Sequence, residues 1–123
     1  MKKILIVEDE LAYSKLLTSQ LTAKGYKVVG AVNGKKGLEM AQSENPDLIL
    51  LDIRMPVMDG MTMLDLLRKE EWGKHTNVII LTNLEPDEKI IGKTVTDEPL
   101  YYFEKNDIKL NDLITKIKAL LGE

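Results

Sequence analysis

Short apolar runs alternate with longer amphipathic segments along this chain, and this alternation constrains its fold more than any other feature. Of five such runs, the first, third and fourth are continuous enough to indicate strands buried on both faces. The second run suggests an edge strand, and the fifth suggests a strand that closes the sheet. The predicted strands span residues 4–7, 26–31, 48–51, 78–81 and 100–103. Because parallel neighbours need crossover connections, strands separated by helical segments predict a parallel sheet.

Helical spacing of apolar residues fills the intervals between these strands. The last pattern is the clearest, because Leu113, Ile117 and Leu121 recur on one face. Asn33 and Asp59 stand where side chains cap the second and third helices. The alternation indicates an α/β domain with helices on both faces of the sheet. The predicted helices span residues 10–24, 35–43, 60–71, 86–94 and 110–121.

The composition fits one globular domain of 123 residues and excludes several classes of function. No apolar run approaches the length of a membrane-spanning helix, and the first residues are too short for a signal peptide. The absence of cysteine excludes disulfides, zinc–thiolate sites and thiol catalysis, and fits a cytoplasmic protein. A net charge of −3 without a basic block argues against a nucleic-acid partner. We therefore expect one cytoplasmic domain over residues 1–123, with no membrane or nucleic-acid contact.

Polar residues follow four of the predicted strands at their carboxyl ends. They are Glu8 and Asp9 after the first strand, Asp52 after the third, Thr82 after the fourth and Lys105 just beyond the fifth. A parallel sheet brings these ends to one edge, where the carboxylates would repel one another unless a cation or the lysine intervened. Oxygen donors without histidine or cysteine favour a hard cation such as Mg²⁺, which commonly serves phosphoryl transfer. This pattern predicts that Asp52 is a nucleophile that forms an aspartyl phosphate.

Four segments of the chain resemble the signature segments of response regulator receiver domains. They are ILIVEDE, PDLILLDIRMPVMDG, VIILTN and YYFEK, and the resemblance covers essentially the whole chain. It implies a flavodoxin-like, doubly wound five-stranded parallel sheet of order 2-1-3-4-5 with five helices, as in single-domain chemotaxis regulators. The expected domain is thus a receiver domain of two-component signalling.

The resemblance also implies a role for each residue of the site. Asp52 would be the phosphoacceptor, with Thr82 bonding a phosphoryl oxygen and Lys105 pairing with the phosphoryl group. Tyr102 would be an aromatic switch that rotates with the phosphorylation state. The implied Mg²⁺ ligands are Asp52, Asp9, Glu8 acting through water, and the backbone carbonyl of Arg54.

The implied phosphoryl donor is a phosphohistidine on a sensor histidine kinase or a histidine phosphotransfer protein. Phosphorylation would switch the face formed by the fourth helix, the fifth strand and the fifth helix, and this face would engage a downstream protein. The domain would phosphorylate and dephosphorylate itself rather than turn over a separate substrate as an enzyme. We expect a monomer or a phosphorylation-dependent dimer, acting alone or as the receiver part of a longer regulator.

The chain departs from the family's pattern at three places. Asn106 stands where proline after a cis bond is most common, so the Lys105–Asn106 bond is predicted to be trans or a strained cis bond. Asn83 stands where a small residue is usual, and its bulk with that of Arg54 predicts a long-lived phosphorylated state. Residues 96–99 lack the usual Gly-Ala-Asp-Asp, so the family's partner choice does not carry over to this chain.

Two other functions fit parts of the pattern. A haloacid-dehalogenase-like phosphatase also uses a strand-end aspartyl nucleophile, but it needs a second aspartate where this chain has Arg54. A receiver-like binding module that has stopped using phosphate stays an alternative, because Asn83 and Asn106 depart from the family's pattern. Uptake of a phosphoryl group by Asp52 distinguishes this module from an active receiver domain.

Overall fold

A parallel sheet with helices on both faces forms the centre of the fold. The computed structural model describes residues 1–83 and 100–122. The strands pair in the order β2-β1-β3-β4-β5, and each neighbouring pair is parallel, which confirms the predicted sheet and its strand order. They are β1 (Lys3–Val7), β2 (Lys27–Ala31), β3 (Leu48–Leu51), β4 (Asn77–Thr82) and β5 (Leu100–Glu104).

Four α-helices lie within the described residues. The predicted helix over residues 86–94 and the atypical stretch 96–99 lie outside them. Among the described residues, no helix combines the length and the apolar character that crossing a membrane requires. The helices are α1 (Leu11–Ala23), α2 (Gly34–Glu44), α3 (Gly60–Lys69) and α4 (Leu110–Leu121), and a short 3₁₀ helix spans Glu71–Gly73.

Helix caps follow the sequence signals, but α3 ends earlier than predicted. The side chains of Asn33 and Asp59 accept hydrogen bonds from amides in the first turns of α2 and α3, as predicted. Glu70 adopts extended backbone with φ −92° and ψ 138°, which stops α3 two residues before the predicted end at 71. The guanidinium of Arg68 then donates to the Gly73 carbonyl at 2.9 Å and holds the turn that follows the helix.

Alternation of side chains along the strands divides the core between the two faces of the sheet. In β1, Leu5 and Val7 pack with α2 and α3, whereas Ile4 and Ile6 pack with α1 and α4. These four side chains are 0–1% exposed, which confirms a strand buried on both faces. Because both faces of such a strand are buried, a polar side chain can reach solvent only beyond the end of the strand. The candidate site lies at the carboxyl ends of the strands.

Candidate functional site

Backbone pairing continues one residue beyond three strands and fixes the residues that follow them. The Glu8 amide donates to a carbonyl of β2 at 3.0 Å, and the Asp52 amide donates to Val7 at 3.0 Å. The Lys105 amide donates to the carbonyl of Thr82 at 2.9 Å. Because the sheet holds these three backbones, their side chains leave it from fixed positions.

The start of α3 packs directly against the backbone of Asp52. The Gly60 amide donates to the Ile53 carbonyl at 2.8 Å, and a Cβ on Gly60 would lie 2.1 Å from the carbonyl oxygen of Asp52. Only glycine allows this approach. The Oδ1 of Asp52 accepts a hydrogen bond of 2.8 Å from the Ile53 amide, so both the backbone and the carboxylate of Asp52 are held.

The structure brings six of the seven predicted site residues into one cavity of about 390 Å³. Glu10 and Asn83 line the same cavity. Tyr102 does not line it, but lies in the groove between β5 and α4 and packs against the core shared by α2 and α3. The six are Glu8, Asp9, Asp52, Arg54, Thr82 and Lys105.

Lys105 lies between two buried carboxylates. Its Nζ contacts the Oε1 of Glu8 and lies 3.5 Å from the Oδ2 of Asp52, and the three side chains are 4–9% exposed. Burial acts to lower the pKa of Lys105, but the hydrogen bond to Glu8 and the charges of Asp52 and Glu8 outweigh it and raise the pKa. The amine is therefore charged at neutral pH.

When Glu8, Asp52 and Lys105 are all ionised, two negative charges face one positive charge, so the group carries a net negative charge. Burial raises the pKa of the Glu8 carboxyl to about 7, and the charge of Asp52 adds to the increase. The hydrogen bonds from Lys105 and from the Glu10 amide act in the opposite direction but do not cancel the effect of burial. Glu8 therefore binds a proton near neutral pH unless another positive charge enters the cavity.

The acidic residues fit a hard divalent cation. Glu8, Asp9 and Asp52 each offer a carboxylate oxygen, and these oxygens lie within 4.8 Å of one another. Oxygen ligands and uncompensated negative charge are what Mg²⁺ prefers in proteins. Arg54, whose backbone carbonyl is the fourth predicted ligand, lines the same cavity. The arrangement fits the predicted magnesium site, and the individual ligand roles stay predictions.

Two residues contribute to the site without having been predicted from the sequence. The Glu10 amide donates to the Oε2 of Glu8 at 3.0 Å and so orients that carboxylate. The Nζ of Lys105 lies 4.7 Å from the centroid of the Tyr13 ring. A signal for Tyr13 was available, because it lies in the first turn of a helix that begins two residues after the acidic pair.

Sequence comparison identifies a family that matches nearly the whole chain. The family model for the response regulator receiver domain matches residues 4–118. The DNA-binding dual master transcriptional regulator RpaA of Synechocystis is 34% identical over 122 residues, which are 98% of this chain and 49% of RpaA. The chain spans half or less of the length of the curated relatives that it matches.

Solved structures agree with this family match. A CheY-like response regulator receiver domain protein from Methanospirillum hungatei has a TM-score of 0.88 at 29% identity, covering 99% of this chain and 94% of that protein. The response regulator TrrA from Thermotoga maritima, solved in complex with Mg²⁺ and BeF, has a TM-score of 0.82 at 32% identity, covering 98% of this chain and 99% of TrrA. The similarity in sequence and the similarity in fold therefore involve the same residues.

Proposed function

This chain belongs to the response regulator receiver domain family, and on that premise we propose that it accepts a phosphoryl group on Asp52 in a two-component signalling system. The observation that carries the proposal is the setting of the Asp52 carboxylate. It lies at the end of a buried strand, 3.5 Å from the Nζ of Lys105 and beside the carboxylates of Glu8 and Asp9. A held nucleophile beside a held positive charge favours in-line attack on phosphorus.

The proposed phosphoryl donor is a phosphohistidine on a sensor histidine kinase or a histidine phosphotransfer protein. A carboxylate oxygen of Asp52 attacks phosphorus, the phosphorus–nitrogen bond breaks, and its electron pair stays on the histidine nitrogen. Later attack by water on phosphorus returns the carboxylate and releases inorganic phosphate. The domain modifies and restores its own side chain, so we propose that it is not an enzyme with a separate substrate.

The residues around Asp52 would neutralise and bind the phosphoryl oxygens. The Lys105 amine brings positive charge to the point where negative charge develops. Thr82 is 1% exposed and lines the cavity, so its hydroxyl can donate to a phosphoryl oxygen on Asp52. Mg²⁺, when bound, would add positive charge against the same oxygens. Its proposed ligands are Glu8, Asp9, Asp52 and the Arg54 carbonyl.

Phosphorylation would shift an existing equilibrium between two conformations of the domain. Thr82 of β4 pairs with Glu104 of β5, two residues after Tyr102 on the same strand. We propose that Thr82 moves toward the phosphoryl group and that Tyr102 turns inward with it. The groove lined by Tyr102 and α4 would then change shape. This groove lies on the proposed output face, which comprises residues 86–94, β5 and α4.

We propose a cytoplasmic setting for this signalling, with the domain as a monomer or as a dimer formed on phosphorylation. Its downstream partner would be a protein that distinguishes the two states of the output face. Transcriptional regulation, which the name of RpaA describes, belongs to that relative. For this chain we propose phosphoryl acceptance and the conformational switch, without nucleic-acid or membrane binding by the domain itself.

Intact mass spectrometry tests phosphoryl acceptance against the alternative of a binding module that does not use phosphate. The protein is incubated with Mg²⁺ and acetyl phosphate, and we expect the parent to gain the mass of one phosphoryl group. Asp52→Asn should gain none, whereas Asp112→Asn, which removes an exposed acid from α4, should behave as the parent. No added mass on the parent, or an equal gain in Asp52→Asn, would favour the binding module.

A further inference from the structure

The ammonium of Lys105 lies over an aromatic ring as well as against the carboxylates. Its Nζ is 4.7 Å from the centroid of Tyr13, inside the range of about 6 Å at which a cation is attracted to a ring face. Tyr13 does not line the cavity that Asp52 shares with the other acids. Among the described residues, the contact of the ring with the reactive site is through this lysine.

We propose that Tyr13 is a positioning residue, whose ring holds the Lys105 ammonium beside Asp52 and so accelerates phosphoryl transfer. The inference rests on the proposed function of the cavity, and it adds Tyr13 of α1 to the residues that support that function. It differs from the roles implied by the resemblance, which include no residue that holds the Lys105 side chain in place.

A contact that holds Lys105 in place during phosphoryl transfer should not use the carboxylate oxygens that the reaction needs. A lysine side chain loses rotamer entropy when it is held in one place. Its two carboxylate contacts, Glu8 and Asp52, are also the residues predicted to hold Mg²⁺ and the phosphoryl group. The neutral ring of Tyr13 attracts the ammonium without occupying either of those oxygen sites, so this contact can persist when the carboxylates are engaged.

The ring itself is held by the core. Tyr13 is half-buried and packs against the apolar cluster between β1 and the helices α1 and α4. Its helix is anchored by Leu17 and Leu21, which are buried. Burial raises the pKa of the Tyr13 hydroxyl, so the ring is neutral at neutral pH. A ring held in this way gives the flexible lysine a fixed surface.

The chain offers a matched control at a second lysine and tyrosine. The Nζ of Lys116 lies 4.4 Å from the centroid of Tyr101, which packs against the same cluster from β5. Neither residue lines the cavity that contains Asp52. Tyr101→Leu therefore removes a lysine-stacked ring from the same cluster without touching the site.

The first test measures the rate of phosphoryl uptake from acetyl phosphate with Mg²⁺. Tyr13→Leu should react about tenfold more slowly than the parent, whereas Tyr13→Phe, which keeps the ring, and Tyr101→Leu should react at the parent's rate. Thermal unfolding of each variant shows whether it is folded at the assay temperature. Uptake by folded Tyr13→Leu at the parent's rate would overturn the proposal, as would an equal loss in Tyr101→Leu.

A double-mutant cycle asks whether the ring acts through the lysine. In a Lys105→Met background, Tyr13→Leu should cause no further loss of rate, because the group that the ring holds is absent. The same tenfold loss in that background would show that Tyr13 acts independently of Lys105, and the positioning role would be wrong.

A third measurement needs no phosphoryl transfer and so separates this inference from the proposed function. With ¹⁵N-labelled lysine, NMR reports the exchange of the Lys105 ammonium protons with water. Exchange should be about tenfold faster in Tyr13→Leu than in the parent, Tyr13→Phe and Tyr101→Leu. Faster exchange in a protein that takes up no phosphoryl group would support the contact and reject the proposed function. Equal exchange in all four proteins would reject the positioning role.

Discussion

The Nζ of Lys105 lies 3.5 Å from the Oδ2 of Asp52, although 53 positions of the chain separate the two residues. The same amine contacts Glu8, and all three side chains are nearly inaccessible to water. Each charge in this trio therefore changes the free energy of ionising the other two. Proton binding, cation binding and phosphoryl transfer should change together when any of the three residues is replaced.

Replacement of Lys105 should change cation binding and phosphoryl transfer in opposite directions. We expect Lys105→Met to bind Mg²⁺ about tenfold more tightly, because a positive charge that repels the cation is removed. The same variant should take up phosphoryl groups at least about tenfold more slowly, because the phosphoryl oxygens lose their amine. Calorimetric titration and intact mass measure the two effects. Lys36→Met, which removes an exposed lysine paired with Glu39, should change neither. Weaker Mg²⁺ binding in Lys105→Met would contradict the arrangement.

The contribution of Glu8 to the stability of the metal-free protein should fall as the pH rises from about 4.5 to about 7. The pKa of Glu8 is raised from 4.5 to about 7 in the folded protein, so in this window the folded state binds a proton that the unfolded state releases. The full shift corresponds to about 3 kcal/mol of unfolding free energy at most. Urea unfolding with a chelator present measures this contribution as the difference between the parent and Glu8→Gln.

The two proteins should be closest in stability at low pH, where both side chains are neutral, and the parent should become less stable than Glu8→Gln as the pH approaches neutrality. Glu39→Gln, which removes an exposed carboxylate from α2, is the matched control. A difference that stays constant over the window, or a parent that gains stability relative to Glu8→Gln as the pH rises, would show that the pKa of Glu8 is not raised in the folded state.

Asn83 should prolong the life of the phosphorylated state. Asn83 and Arg54 are exposed residues that line the cavity around Asp52, and we expect their bulk to hinder the approach of water. We expect Asn83→Ala to lose its phosphoryl group about threefold faster than the parent, a change of less than about 1 kcal/mol in the barrier. Decay of the phosphorylated mass over time measures the rate. Asn111→Ala, in the first turn of α4, is the control, and equal decay of Asn83→Ala and the parent would argue against crowding.

Replacement of Val57 should stabilise the protein. Val57 has φ 69°, a left-handed conformation that is costly for a β-branched residue, and its side chain is 78% exposed. The Met58 amide donates to the Pro56 carbonyl at 2.8 Å and closes a three-residue turn around it. Val57→Asn should raise the free energy of unfolding by about 1 kcal/mol, because asparagine tolerates this conformation.

Chemical denaturation provides the measurement, with Val32→Asn as the control. Val32 is also an exposed valine in a loop, but it does not have positive φ. If both variants changed stability equally, side-chain polarity rather than relief of backbone strain would be the cause.

A side chain at Gly60 should damage both stability and the site. A Cβ there would lie 2.1 Å from the carbonyl oxygen of Asp52, so Gly60→Ala must displace the backbone that carries the phosphoacceptor. We expect a loss of about 3 kcal/mol or more in unfolding free energy, with slower phosphoryl uptake. In Gly30→Ala the nearest atom would be 3.9 Å away, and the change should be small. Similar losses of unfolding free energy in both variants would show that replacing a glycine, rather than the close contact with Asp52, is the cause.

The sequence determined the features that depend on local pattern. Continuous apolar runs at 4–7 and 48–51 specified the strands β1 and β3, because burial on both faces requires apolar residues at every position. Asn33 and Asp59 capped helices as predicted, because a cap involves only the next few amides. Polar residues at strand ends were found in the same way, since parallel strands align their carboxyl ends.

Only the tertiary structure decided which long side chains meet at that edge. The contact between Lys105 and Tyr13 depends on how α1 lies on the sheet, whereas Tyr102 packs against the core on the opposite face, shared by α2 and α3. Sequence periodicity reports which face of an element is buried, but it does not specify the direction in which a flexible side chain leaves that face. The raised pKa of Glu8 also depends on the folded structure, because burial is its largest cause.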